Sequence, residues 1–219
     1  LDPAASPLII RIEPEGFAPA LLAPAVRALR AGQLVIYPTD TLYALGARAL
    51  DADAVARVGE AKGRPADKPF PLIAASEGQA RALAREWPAA AARLAERWWP
   101  GPLTLVVPAR AGLPAGVASP AGLVAVRVPR SAPARALASE AGPLVATSAN
   151  RSGGRAPTTC AAALAEVGVQ ASVAVDAGPG RDVPSTLVEV RGEDLRLLRA
   201  GALAWEEIRE GAADRREGA

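Results

Sequence analysis

The sequence predicts an α/β fold with a mixed sheet, and three observations carry that prediction. Short apolar runs rich in Val, Leu and Ile alternate with Ala-rich runs of helical spacing along nearly the whole chain. Two further β-like runs flank Gly192 and read as a hairpin. Half of the 219 residues are apolar but only 4% are aromatic, so the core is built mainly from Ala, Val and Leu.

The elements follow in order. Residues 7–13 (PLIIRIE) read as a strand, 18–32 as a helix closed by Gly32, and 34–38 (LVIYP) as a buried strand stopped by its proline. Residues 51–63 form the next helix, with Asp51 or Asp53 as N-cap and Gly63 at its end. FPLIAA (70–75) is a strand, and 77–100 is a helical pair divided at Pro88. Then come strand 103–109, strand 123–129, helix 132–142, strand 143–148, helix 158–168 and strand 172–178. The hairpin 185–191 and 194–201 and a short helix, 204–211, complete the series. A single domain over residues 1–210 is expected, with 211–219 a frayed tail.

Composition removes several classes of function. No apolar run approaches the roughly 20 residues that span a bilayer, and the first residues lack the pattern of a signal peptide, so a cytoplasmic protein is expected. One cysteine, Cys160, and no histidine exclude an internal disulfide framework, a Cys/His zinc cluster and a Ser/His or Cys/His catalytic pair. A net charge of +2 with a pI near 9.1 is too weak to establish a nucleic-acid partner.

Open α/β sheets hold ligands in loops at the carboxyl ends of their strands. Polar groups gather there in YPTDTLYALGA (37–47), VRVPRS (126–131), VATSANRSGG (145–154) and DVPST (182–186). Four of the seven threonines, Thr39, Thr41, Thr147 and Thr186, lie in these segments, as does Asn150, the sole asparagine. Taken singly, such residues also close their own loops.

Neither standard phosphate loop is present, so a nucleotide would be held differently. KGRPADK (62–68) sets three cations on a Gly/Pro-shaped turn: Arg64 offers a fork to phosphate oxygens, Lys62 and Lys68 compact charges. The same segment also fits a solvated helix C-terminus. Lys62 and Lys68 are nevertheless the only lysines among 25 basic residues, which favours a phosphate grip. Arg127 ends an apolar strand and needs a carboxylate, either from a substrate or from another protein residue, while Asp40 reads as a base, a metal-side carboxylate or a structural turn residue.

Seven segments, in order, resemble the YrdC/TsaC-like family of threonylcarbamoyl-AMP synthases: GQLVIYPTDTLYALGA, AKGRPADKPFPLI, WWPGPLTLVV, VAVRVPRS, LVATSANRSGGRAPTT, DVPSTLVEV and LRLLRAGAL. They cover about residues 20–205, matching a short form with the synthase domain alone. The resemblance implies a twisted mixed sheet flanked by helices around an open basic cavity. It implies a nucleotidyltransferase that joins L-threonine, bicarbonate and ATP, usually with Mg2+, into threonylcarbamoyl-AMP and pyrophosphate. That product would serve N6-threonylcarbamoyladenosine modification of tRNA at position 37, performed by a separate transferase complex.

Carried over by resemblance, Lys62, Arg64, Ser148 and Asn150 are the catalytic residues. The nucleotide side comprises these four with Lys68, Thr158 and Arg199, and the threonine side comprises Thr41, Arg127, Thr147 and Ser185. No protein metal ligand is implied. Ala44 replaces a commoner glycine, and no histidine follows the KPFPLI strand, where many relatives have one. The alternative is an RNA-binding module of the same fold without synthase activity, with RNA or tRNA as partner. The spread of the basic residues and the scarcity of aromatics speak against it.

Overall fold

The computed structural model describes residues 6–64 and 68–213. Pro65, Ala66 and Asp67, inside the KGRPADK turn, lie outside the described residues, as do 214–219 of the expected tail. The strands divide between two mixed sheets rather than forming one.

The five-stranded sheet has the order β1 (Leu8–Arg11), β9 (Ala171–Asp176), β2 (Leu34–Pro38), β3 (Tyr43–Gly46), β8 (Thr147–Ser148). The parallel partners β1, β9 and β2 are continued by antiparallel β3 and β8. The six-stranded sheet has the order β11 (Asp194–Arg199), β10 (Thr186–Arg191), β5 (Leu103–Pro108), β6 (Leu123–Arg127), β4 (Leu72–Ile73), β7 (Leu144–Val145).

Helices α1 (Ala23–Arg30) and α5 (Ala132–Ala141) pack with Val35, Tyr37, Val173 and Val175 on one face of the first sheet. The larger apolar cluster takes the other face of that sheet, through Ile36 and Leu45. It joins them to α2 (Ala52–Lys62), α4 (Ala89–Trp98), α6 (Cys160–Val167) and α7 (Trp205–Ala213). Trp98 and Trp99 pack against this cluster.

Local chemistry sets the helix that matters most to the site. The Asp51 carboxylate accepts from Ala54 N at 3.0 Å, capping α2, and Gly63 ends it with φ 58°, a left-handed conformation that favours glycine. The helix therefore stops one residue after Lys62.

Three elements differ from the sequence-based expectation. YALG is not loop but β3, paired antiparallel with β2, so Thr39 to Leu42 form the tip of a hairpin. Both strands are fully buried, which removes the polar/apolar alternation that would mark them. The expected strand 143–148 is two strands in different sheets: β7 pairs with β4, the chain crosses at Ala146, and β8 pairs with β3. The last helix continues to Ala213, past the expected end of the domain.

Candidate functional site

The two sheets enclose a cavity of about 440 Å3, floored by one face of the six-stranded sheet. Alternation along each strand builds this floor. Thr104 and Val106 of β5, Ala125 and Arg127 of β6, and Leu187 and Glu189 of β10 face the cavity. Their neighbours Leu103, Leu105, Val126 and Val188 enter the core.

A bulge re-aims one arginine. On β11, Leu197 pairs with Val188 while Arg199 pairs with Leu187, leaving Leu198 unmatched. Without that extra residue Arg199 would share the core-facing parity of Leu195 and Leu197; with it, Arg199 turns to the cavity. Arg199 then donates to Ser185 O at 2.9 Å and Ser185 Oγ at 3.0 Å. Ser185 Oγ also meets Thr104 Oγ1 at 2.7 Å. Gly201 lets the chain cross behind this serine, because a Cβ there would lie 2.4 Å from Ser185 C.

Arg127 is only 5% exposed, and its Nη1 donates to Asp40 Oδ1 at 2.6 Å. Its Nη2 lies 3.4 Å from Thr41 Oγ1. Both partners come from the β2–β3 tip. Thr39 closes that tip: its hydroxyl donates to Leu42 O at 2.7 Å and accepts from the amides of Thr41 and Leu42. Thr41 is thus the threonine of the pair presented to Arg127. Partial burial, and then the Arg127 charge, lower the Arg199 pKa from its ordinary value.

Across the cavity, Thr147 and Ser148 arrive on β8, and Arg64 arrives just after α2. Arg64 donates to Lys68 O at 3.1 Å and Pro69 O at 3.0 Å, and lies 5.0 Å over the Phe70 ring. Burial lowers its pKa.

Lys62 sits behind this wall. It is 4% exposed, and its ammonium donates to Ser148 O and Asn150 O, both at 2.5 Å, with Asn150 Oδ1 at 3.4 Å. Burial above all, assisted by the Arg64 charge and opposed by Glu166, lowers its pKa to about 8. The Asn150 amide donates to Arg151 O and Gly154 O, closing its own loop.

The sequence-selected residues therefore separate. Thr41, Arg64, Arg127, Thr147, Ser148, Ser185 and Arg199 line one cavity; Lys62, Lys68, Asn150 and Thr158 are not among its lining residues. Lys68 is exposed, and Thr158 lies beside the α6 N-terminus, its carbonyl accepting from Gly180 N at 2.7 Å. Thr186 serves the fold, donating to Leu203 O and accepting from Leu203 N, both at 2.9 Å.

Sequence reasoning missed Thr104, Glu189 and Arg196 in the lining. A single polar residue inside LTLVVP and a single acid inside STLVEVR were the available signs. Among the described residues no group of three or more His, Cys, Asp or Glu could hold a metal ion. No helix among them is long and apolar enough to cross a membrane.

The threonylcarbamoyl-AMP synthase of Pyrococcus abyssi is 42% identical over 182 residues, covering 82% of this chain and 54% of that protein. That of Halorhodospira halophila is 39% identical over 170 residues, covering 77% of this chain and 87% of that protein. The crystal structure of P. abyssi Sua5 complexed with L-threonine superposes with a TM-score of 0.88 at 39% identity, over 93% of this chain and 60% of that one. The chain thus spans about half the length of the P. abyssi relative. The Sua5/YciO/YrdC family model, described as telomere recombination, matches residues 27–201, and with relatives this similar over most of the chain the protein belongs to that family.

Proposed function

We propose that the protein is a threonylcarbamoyl-AMP synthase, a nucleotidyltransferase that joins L-threonine, bicarbonate and ATP with release of pyrophosphate. One observation carries the reading: Arg127 and Thr41 meet in the same cavity that Arg64 and Ser148 line from across it. A guanidinium with unspent N–H groups suits the carboxylate of an amino acid. Thr147 and Ser185 line the same cavity and would serve the amine and hydroxyl.

The nucleotide's phosphates take the other wall. Arg64 and Lys68 neutralise phosphate charge, Ser148 reaches toward the α-phosphate, and Thr158 and, from the floor, Arg199 complete the nucleotide side. Lys62 and Asn150 act first on the loop itself, since the ammonium gathers the carbonyls of Ser148 and Asn150. This brace presents the Ser148 hydroxyl on a fixed backbone, as positional catalysis requires.

The threonine amine adds to CO2 derived from bicarbonate, giving a carbamate. A carbamate oxygen attacks the α-phosphorus, the bond to the β-phosphate oxygen breaks, and pyrophosphate leaves with the electron pair. Such a transfer needs alignment and charge neutralisation, not a covalent nucleophile. Among the described residues no cluster of acids forms a cage for a resident metal, and Mg2+ would enter as part of the metal–nucleotide substrate. The product would then pass to the transferase complex that modifies tRNA at position 37.

The test incubates the protein with ATP, Mg2+ and bicarbonate and each amino acid in turn, measuring pyrophosphate. Release is expected with threonine and bicarbonate together. Equal release with serine, or none with threonine, refutes the assignment.

A further inference from the structure

Strand register turns the cavity floor into a grid. In the first row, Arg199 pairs with Leu187, and Leu187 with Thr104. The adjacent pair Leu105–Val126 sets Thr104 against Arg127. Two residues along β10, β5 and β6, and three along the bulged β11, the second row, roughly 6–7 Å away, runs Arg196, Glu189, Val106, Ala125.

This second row differs in chemistry from the rest of the cavity. Glu189 is the one acidic residue among the described residues lining it, and it is only 5% exposed. Arg191 Nε donates to its Oε1 at 2.5 Å, and Arg196 Nε lies 3.5 Å from Oε2. Beside it Val106 and Ala125 form an apolar floor, and Leu198, 37% exposed, forms an apolar rim.

The Glu189 carboxylate is acceptor-only and has no donor to offer a phosphate or the carboxylate of an amino acid. A flat heterocycle bearing an exocyclic amine fits instead: its face covers apolar side chains, and its N–H meets an acceptor-only group. We propose that Glu189 reads the adenine base of the nucleotide by accepting a hydrogen bond from its exocyclic amine. Arg196 donates to a neighbouring ring nitrogen, and the base rests on Val106 and Ala125. Glu189 is thereby the residue that selects adenine. Guanine and hypoxanthine put a carbonyl oxygen where adenine has the amine, so oxygen would face oxygen.

This assignment rests on the synthase reading of the cavity. Its test measures equilibrium binding of ATP, ITP and GTP by calorimetry without threonine. Wild-type protein should bind ITP and GTP at least about tenfold more weakly than ATP, as loss of a hydrogen bond to a charged group implies. Glu189→Gln, checked for folding by circular dichroism, should narrow the ratio to within about threefold, because its amide can turn to offer either a donor or an acceptor.

Equal binding of the three nucleotides by wild type, or an unchanged ratio in folded Glu189→Gln, overturns the proposal. Should that variant not fold, N6,N6-dimethyl-ATP asks the same question of wild type. Binding at least about tenfold weaker than ATP supports the proposal, and equal binding overturns it. ATP preference without threonine-dependent pyrophosphate release refutes the synthase reading and leaves the base-reading role standing. Absence of any nucleotide binding refutes both.

Discussion

The two walls of the cavity use their polar groups in opposite ways. On the floor, Arg127, Ser185 and Arg199 line the open space even while Arg199 bonds to Ser185 and Arg127 to Asp40. Behind the opposite wall, Lys62 and Asn150 direct their donors to backbone carbonyls and do not line the cavity. One wall is built to receive, the other to hold a loop. The same residue types at similar strand ends thus have different first tasks, decided by where the backbone leaves their neighbours.

Substitutions can break that contrast, and the largest effect is expected at Arg127. Arg127→Ala leaves Asp40, whose side chain is 13% exposed, without its partner. Removing one member of a buried pair costs about 3–5 kcal/mol. Thermal denaturation should show a large fall in Tm, and threonine-dependent turnover should vanish.

Next comes Lys62→Met. It leaves the carbonyls of Ser148 and Asn150 short of donors, at about 1–3 kcal/mol. ATP binding should weaken by calorimetry while the circular-dichroism spectrum stays native. Unchanged nucleotide affinity would contradict the brace.

Lys62 also predicts a pH dependence. Its folded pKa of about 8 lies below the ordinary value of 10.5, so between those limits the unfolded chain binds more protons. Stability from this residue therefore rises as pH increases from about 8 to 10.5 and is flat below. Chemical denaturation at pH 7, 9 and 10.5 should show this rise in wild type and lose it in Lys62→Met. The smallest effect belongs to Thr39→Val, which loses the bonds closing the β2–β3 tip. About 1 kcal/mol is expected, with a modest rise in the threonine KM.

The alternation of strand and helix was legible because apolar periodicity survives wherever one face meets a core. It failed at β3, buried on both faces, and at Ala146, where one apolar run serves two sheets. Thr41, Arg127, Thr147, Ser148 and Ser185 were legible as polar residues at strand ends, and all five line the cavity. That Arg199 joins them depends on a bulge, a register property that no local pattern encodes. That Arg127 needs a carboxylate was legible, but that Asp40 supplies one was not, because the pair is 87 residues apart and is made by the β2–β3 tip folding over β6. Glu189 escaped notice because cavity-facing and solvent-facing positions alternate identically along a strand.

The contrast between the walls is tested most directly by the steady-state KM values for threonine and ATP in Arg127→Lys, which keeps the charge but loses the planar fork. A threonine KM raised about tenfold or more, with the ATP KM within about twofold of wild type, is the predicted result. A parallel rise in both, or a rise confined to ATP, would contradict the assignment of Arg127 to the amino acid rather than to the nucleotide.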